Sequence, residues 1–202
     1  MLRYLWTNRE RRPLLSAPWF KAWAKRLATS PRLLDSICRQ AMLRLHGATI
    51  GTAVFIGPCK YNGRKSYLKV SDNSFIGRIT LHLHDRIDIG RNVVINDGVV
   101  LFTASHDINS QVFRTTTAPI VVGDYAWIAS NAILLPGAEI GTGAVIGAGA
   151  VVRGHVPDYR IAVGNPAALL ERKRTPDLNY NPARLVAAFE AWLGTKGIDS
   201  SK

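Results

Sequence analysis

His106 is the side chain in this sequence best suited to proton transfer, because an imidazole can accept and return a proton near neutral pH. It closes the run Thr103-Ala104-Ser105-His106, is followed by Asp107, and stands where a six-residue repeat stops. The repeat resumes at Pro119-Ile120-Val121, so the polar stretch 107–118 should leave it as an extruded loop. Long loops in repeat folds tend to line binding faces, so a histidine at such a corner reads either as a surface residue or as a base that can move a proton. The other ring nitrogen must be held by a backbone carbonyl or a carboxylate, which fixes the tautomer. Repeat spacing stacks Asp88 beneath His106 and Glu139 above it; each reads first as a solvated carboxylate on a basic protein.

Leu81-His82-Leu83-His84 sets two imidazoles on one face of a strand, a spacing that can ligate zinc. The third histidine is missing: Gln111 stands five residues beyond His106, and the next histidine is His155. No metal site is expected.

The frame that positions these residues is a hexad. Val122-Gly123, Ile128-Ala129, Leu134-Leu135, Ile140-Gly141, Ile146-Gly147 and Val152-Arg153 open successive units without a slip, with Ala126, Ala132, Ala138, Ala144, Ala150 and Val156 at the fifth position. The frame returns upstream at Ile89-Gly90, Ile95-Asn96 and Leu101-Phe102, and less cleanly from Ile50-Gly51. Units this short cannot bury an apolar face alone and must stack, which predicts an all-β core built as a parallel β-helix. Three flat strands make each coil, aliphatic residues fill the bore, and small residues serve where the backbone bends. A β-sandwich would instead alternate with period two and break at turns every 8–12 residues or so.

At 202 residues, 47% hydrophobic and 20% charged, the chain can bury one sizeable core with short appendages. No apolar run approaches the roughly 18 residues of a membrane span, and the arginines of residues 1–13 flank no apolar signal-peptide core. Cys38 and Cys59 lack metal-ligand spacing. These features point to a cytoplasmic protein. Net charge is +12, and residues 1–46 hold ten Lys/Arg against Glu10 and Asp35. Interleaved with Trp6, Trp19, Phe20 and Trp23, that basic segment suits either packing with one solvated side or peripheral contact of residues 1–30 with an anionic inner membrane face. No nucleic-acid recognition module appears.

Helical patterns flank the repeat. Pro18 starts a short helix with Trp19, Trp23 and Leu27 on one stripe and Lys21, Lys25 and Arg26 among the rest. Ser30-Pro31 reads as the cap of a second, with Leu34, Ile37, Cys38, Ala41 and Leu45 facing the β-helix and Gly47 as its stop. Asn181-Pro182 caps a third, with Leu185, Val186, Phe189, Trp192 and Leu193 apolar and Gly194 terminal. The organisation expected is a basic helical segment over 1–46, the β-helix over 47–168, and a basic stretch with a helix over 169–202.

Taken together, Thr103-Ala-Ser-His106-Asp107, Ala118-Pro-Ile-Val-Val-Gly123, Trp127-Ile128, Pro136-Gly137 and Gly164-Asn165-Pro166-Ala167 resemble the hexapeptide-repeat acetyltransferases. The nearest likeness is to the colanic-acid and exopolysaccharide type, with galactoside and maltose O-acetyltransferases as wider relatives. The resemblance implies a left-handed parallel β-helix, a homotrimer with active sites in the clefts between subunits, and acetyl transfer from acetyl-CoA to a carbohydrate hydroxyl with His106 as general base. It sets the pantetheine arm of the donor beside Ala129, Ser130 and Ala148, and offers Arg153 and Arg172, each one residue out of register, for its phosphates. It offers Asp85 for the acceptor sugar, one residue out of register, while Arg78-Ile79-Thr80 replaces the relatives' upstream asparagine. An N-acetyltransferase acting on an amino-sugar nucleotide and a non-catalytic β-helix scaffold are the alternatives.

Overall fold

The computed structural model describes residues 1–194; residues 195–202 of the expected C-terminal segment lie outside the described residues. Three stacks of short strands form a parallel β-helix. The first face runs from Thr49–Ile50 through Leu68–Val70, Ile87–Ile89, Ile120–Val122 and Glu139–Ile140 to His155–Val156. The second begins at Phe55–Ile56 and includes Trp127–Ile128 and Val145–Ile146; the third begins at Lys60–Gly63 and includes Val100–Phe102, Ile133–Leu134 and Val151–Val152. Successive hexads turn the corner between faces, and successive coils hydrogen-bond in register, with Ile128 opposite Ile146 and Leu134 opposite Val152.

The hexad pattern maps directly onto the bore. First-position Ile128, Leu134 and Ile146 and fifth-position Ala126, Ala132, Ala138, Ala144 and Ala150 are all 0% exposed. Burying each large aliphatic contributes about 1.5–3 kcal/mol, and alanine fits where two faces converge. The small second position has a different cause from the one the pattern suggested. The backbone turns at the fourth position, where Tyr125, Asn131, Gly137, Gly143 and Gly149 all have positive φ. The second position is small because the next coil lies on it: a Cβ on Gly123 would come within 2.7 Å of the Thr142 nitrogen.

The ends of the coil are covered. At the C-terminal end Arg160–Val163 pairs antiparallel with Ala168–Lys173, so the last strand of the second face does not end on open hydrogen-bonding groups. At the other end lie α1 (Leu2–Thr7), α2 (Ala17–Leu45) and α3 (Ala187–Leu193), joined around a second apolar cluster that includes Leu5, Leu33 and Phe189. Among the described residues no helix is long and apolar enough to cross a membrane.

Three helical expectations need correction. The expected break at Ser30-Pro31 is absent, and α2 runs unbroken through Pro31. Proline deprives the Leu27 carbonyl of its usual donor, and the Ser30 hydroxyl donates to that same carbonyl at 2.7 Å. The expected inward face is also rotated: Leu34 and Leu45 are exposed, as are Cys38 and Ala41, while Leu33, Ser36, Gln40 and Leu43 are buried. The first coil explains this, because its edge presents backbone groups that only polar side chains can satisfy. Ser36 Oγ accepts from the Ile56 N–H at 3.0 Å, Gln40 Nε2 donates to the Val54 carbonyl at 2.8 Å, and Arg44 donates to the Ile50 carbonyl at 2.9 Å. Finally, Asn181 does cap, accepting from the Ala183 N–H, but it starts a 3-10 turn, Pro182–Leu185, with Leu185 exposed, and α3 begins separately.

Arg26 is not on a solvated basic face. It is 5% exposed, its guanidinium donates to the carbonyls of Ala191 and Glu10 at 3.0 and 3.1 Å, and it lies 5.0 Å from both the Trp23 and Trp192 ring centres. Burial lowers its pKa from the ordinary value. Trp23 accordingly packs between Trp19 and Trp192.

Candidate active site

The interruption of the repeat is a β-hairpin. Ala104–His106 pairs antiparallel with Thr115–Thr117, so the chain leaves the coil at Ala104, earlier than the expected residue 107. Buried Thr103 anchors its base: the hydroxyl donates to the His82 carbonyl and accepts the N–H groups of His84 and Asp85 at 2.9 and 3.0 Å. The corner carrying Asp85 is thereby pinned beneath the hairpin. The tip is not wholly polar, since Ile108, Val112 and Phe113 are exposed on it.

His106 ends the outgoing strand of this arm. Its Nδ1 lies 3.0 Å from the Phe113 carbonyl. A carbonyl only accepts, so Nδ1 carries the hydrogen and the neutral ring keeps its electron pair on Nε2. The Phe113 ring stacks on the imidazole with centres 4.0 Å apart and planes 12° from parallel. One residue therefore fixes both the tautomer and the tilt of His106. Sequence reasoning missed Phe113; an aromatic residue within the insertion was the available signal.

Asp88 and Glu139, which repeat spacing set beneath and above His106, do not orient it. The strand leaving for the hairpin pairs Phe102 with His82, shifting the register, and Asp88 pairs with Val121, which pairs in turn with Glu139. Both carboxylates belong to the first face, and Glu139 Oε2 lies 3.7 Å from His155 Nδ1. Among the described residues neither bonds to His106. His82 stacks on Phe102 at 4.4 Å, and burial, followed by the proximity of His84, lowers its pKa. Among the described residues no group of three or more His, Cys, Asp or Glu side chains is placed to hold a metal ion.

The remaining candidates divide between edges of the prism. Ala129, Ser130 and Ala148 share the edge between the second and third faces, where the Gly149 N–H donates to the Ser130 carbonyl at 2.9 Å and Ala148 is exposed. Asp85 and Arg153 follow third-face strands and lie on the same edge as the hairpin, with an Asp85 oxygen accepting the Arg86 N–H at 2.7 Å. Arg172 is exposed on the antiparallel strand Ala168–Lys173. Its neighbour Arg174 turns back into the fold, donating to the Tyr125 carbonyl and the Tyr180 hydroxyl.

Comparison with known proteins sets this coil of stacked hexads in a class of transferase. Residues 119–154 match the family described as bacterial transferase hexapeptide (six repeats). The "Putative colanic acid biosynthesis acetyltransferase WcaF" of Escherichia coli strain K12 is 35% identical over 156 residues, covering 77% of this chain and 85% of that protein. The galactoside O-acetyltransferase of the same strain is 28% identical over 147 residues, covering 70% and 72%. A hexapeptide-repeat acetyltransferase of Vibrio cholerae O1 biovar eltor, solved in complex with acetyl coenzyme A, superimposes with a TM-score of 0.65 at 26% identity over 86% of this chain and 98% of that one. The chain belongs to the hexapeptide-repeat acetyltransferases.

Proposed function

We propose that this chain transfers the acetyl group of acetyl-CoA to a hydroxyl of a carbohydrate used in envelope or exopolysaccharide assembly, with His106 as general base. The observation that carries the reading is the grip of Phe113 on the imidazole, which holds Nδ1–H to a carbonyl at 3.0 Å and leaves Nε2 unprotonated. A sugar hydroxyl attacking the thioester carbonyl gives its proton to Nε2, the tetrahedral adduct breaks its C–S bond, and the imidazolium returns the proton to the departing sulfur. A thiolate leaves readily, so the acetyl group needs no covalent stop on the enzyme.

The other roles follow from the side chains at each edge. Small residues at Ala129, Ser130 and Ala148 let the pantetheine arm lie against backbone, where polar groups can meet its amides. Arg153 and Arg172, both exposed, suit the phosphates of CoA. Asp85, with one oxygen on the Arg86 N–H, retains a second for a sugar hydroxyl.

Assembly is part of the proposal. A side of the prism is about six residues long, roughly 15–20 Å, and one such side separates the donor edge from the edge that carries His106. The two sets meet when the arm of one copy docks on the donor edge of another, as in the homotrimer that the resemblance implies. Such docking would also cover exposed Ile108, Val112 and Phe113.

The test follows free-thiol release from acetyl-CoA with panels of hydroxyl sugars and amino sugars, and the product by mass. Acetyl esters formed on hydroxyl sugars support the reading. Acetylation of amino sugars alone supports N-acetyl transfer instead, and failure to bind CoA or release thiol with any acceptor supports a scaffold.

A further inference from the structure

Of the α2 residues that sequence periodicity assigned to the core, Leu34, Cys38, Ala41 and Leu45 point outward, while Ile37 packs inward. Phe20, Leu27, Leu34 and Leu45 are 56%, 69%, 52% and 86% exposed. Exposed Ala24, Pro31, Cys38 and Ala41 alternate with them, so the steps along the chain are four, three, four and three residues, the spacing of one straight stripe on a helix. Leu14 and Leu15, also exposed, carry apolar surface past the N-cap Ser16.

The stripe has a border in which basic residues outnumber acidic ones. Lys21 and Arg32 form no ion pair among the described residues, and Lys25 pairs at the surface with Glu190 at 2.8 Å. The bordering acid, Asp35, is taken up by Arg39. We propose that this face of α2 lies on the surface of an anionic lipid bilayer, its leucines and Phe20 among the upper acyl chains and its lysines and arginine at the headgroups. Charge complementarity selects this occupant, because a basic, apolar helix face is attracted to anionic lipid by both terms.

A second helix is a poorer fit. A coiled-coil seam needs large apolar residues at both alternating positions, and one of the two sets here is Ala24, Pro31 and Cys38 with Leu45 alone. A second copy would also bring a like-charged border. Lipid imposes no register, so large side chains at alternate turns suffice. The docking face is distinct from the tryptophan-bearing one, since Trp23 and Arg26 are engaged with Trp192. If the acceptor is carried on a lipid, docking sets the enzyme beside it; that consequence rests on the acetyl-transfer reading, whereas the docking does not.

Cys38 supplies a native probe within the stripe. It is exposed, while Cys59 is partly covered and burial raises its thiol pKa, so a thiol-reactive, polarity-sensitive dye goes preferentially to Cys38. The full chain should co-sediment with vesicles of phosphatidylglycerol and phosphatidylcholine at low salt, with a blue shift of the dye, and release as salt rises. Leu27→Gln with Leu34→Gln, both at exposed sites, should weaken partitioning about ten-fold or more, and Lys21→Gln with Arg32→Gln by a similar factor on anionic vesicles only. Absence of retention, absence of a dye shift, or retention unchanged by the leucine variants overturns the proposal. A fall in molecular mass on light scattering for the leucine variants, with no vesicle binding by the parent, would assign the face to a protein contact instead.

Discussion

Between Val122 and Val156 each buried side chain is a branched aliphatic or an alanine, whereas the buried side of α2 includes Ser36, Gln40 and Arg26 and its outer side is rich in leucine. Both regions close the same core, but they meet different surfaces. Inside the stack every coil finds its backbone partners in the coil above and below, so side chains need only fill volume. At the end of the stack the strand edge has no further coil, and the covering helix must bring hydrogen-bonding groups to it. Apolarity predicts burial in the first region and fails in the second.

Substitutions that respect or violate this contrast separate the two regimes. Leu134→Ala, in the bore at 0% exposure, should cost about 2–5 kcal/mol, measured as a lower urea midpoint. Gln40→Leu makes α2 more apolar yet strands the Val54 carbonyl that Gln40 serves at 2.8 Å, and should cost about 1–3 kcal/mol. Leu34→Gln, on the outer side of the same helix, should stay within about 0.5 kcal/mol of the parent. A Gln40→Leu protein as stable as the parent would remove the edge-satisfaction argument. The smallest effect concerns His82, whose pKa is depressed below its ordinary 6.5 by burial and then by His84. The folded state favours neutral imidazole, so this contribution is present above pH 6.5 and lost as pH falls through the folded value. Melting temperature should drop on acidification, and His82→Gln should flatten part of that slope.

The repeat was legible in the sequence because it is written locally: each hexad states its own bore residue, and Val122 to Val156 keeps the frame without a slip. His106 was legible as the residue at the break. What could not be read was what long-range pairing decides. Counting hexads set Asp88 under His106, but the hairpin consumes the register and Asp88 meets Val121 instead. Ser30-Pro31 carried a valid helix-start signal that the Ser30 bond to the Leu27 carbonyl overrides. Arg26 looked like a solvated cation until Ala191, far along the chain, supplied its acceptor.

The central claim is that His106 moves the proton and does not merely shape the cleft. Turnover and CoA affinity of His106→Ala, measured side by side with an accepted carbohydrate, test it directly. The account predicts a fall in kcat of about 10²–10⁴ with the CoA dissociation constant nearly unchanged. Equal losses in CoA binding and rate, or an undiminished rate, would contradict it.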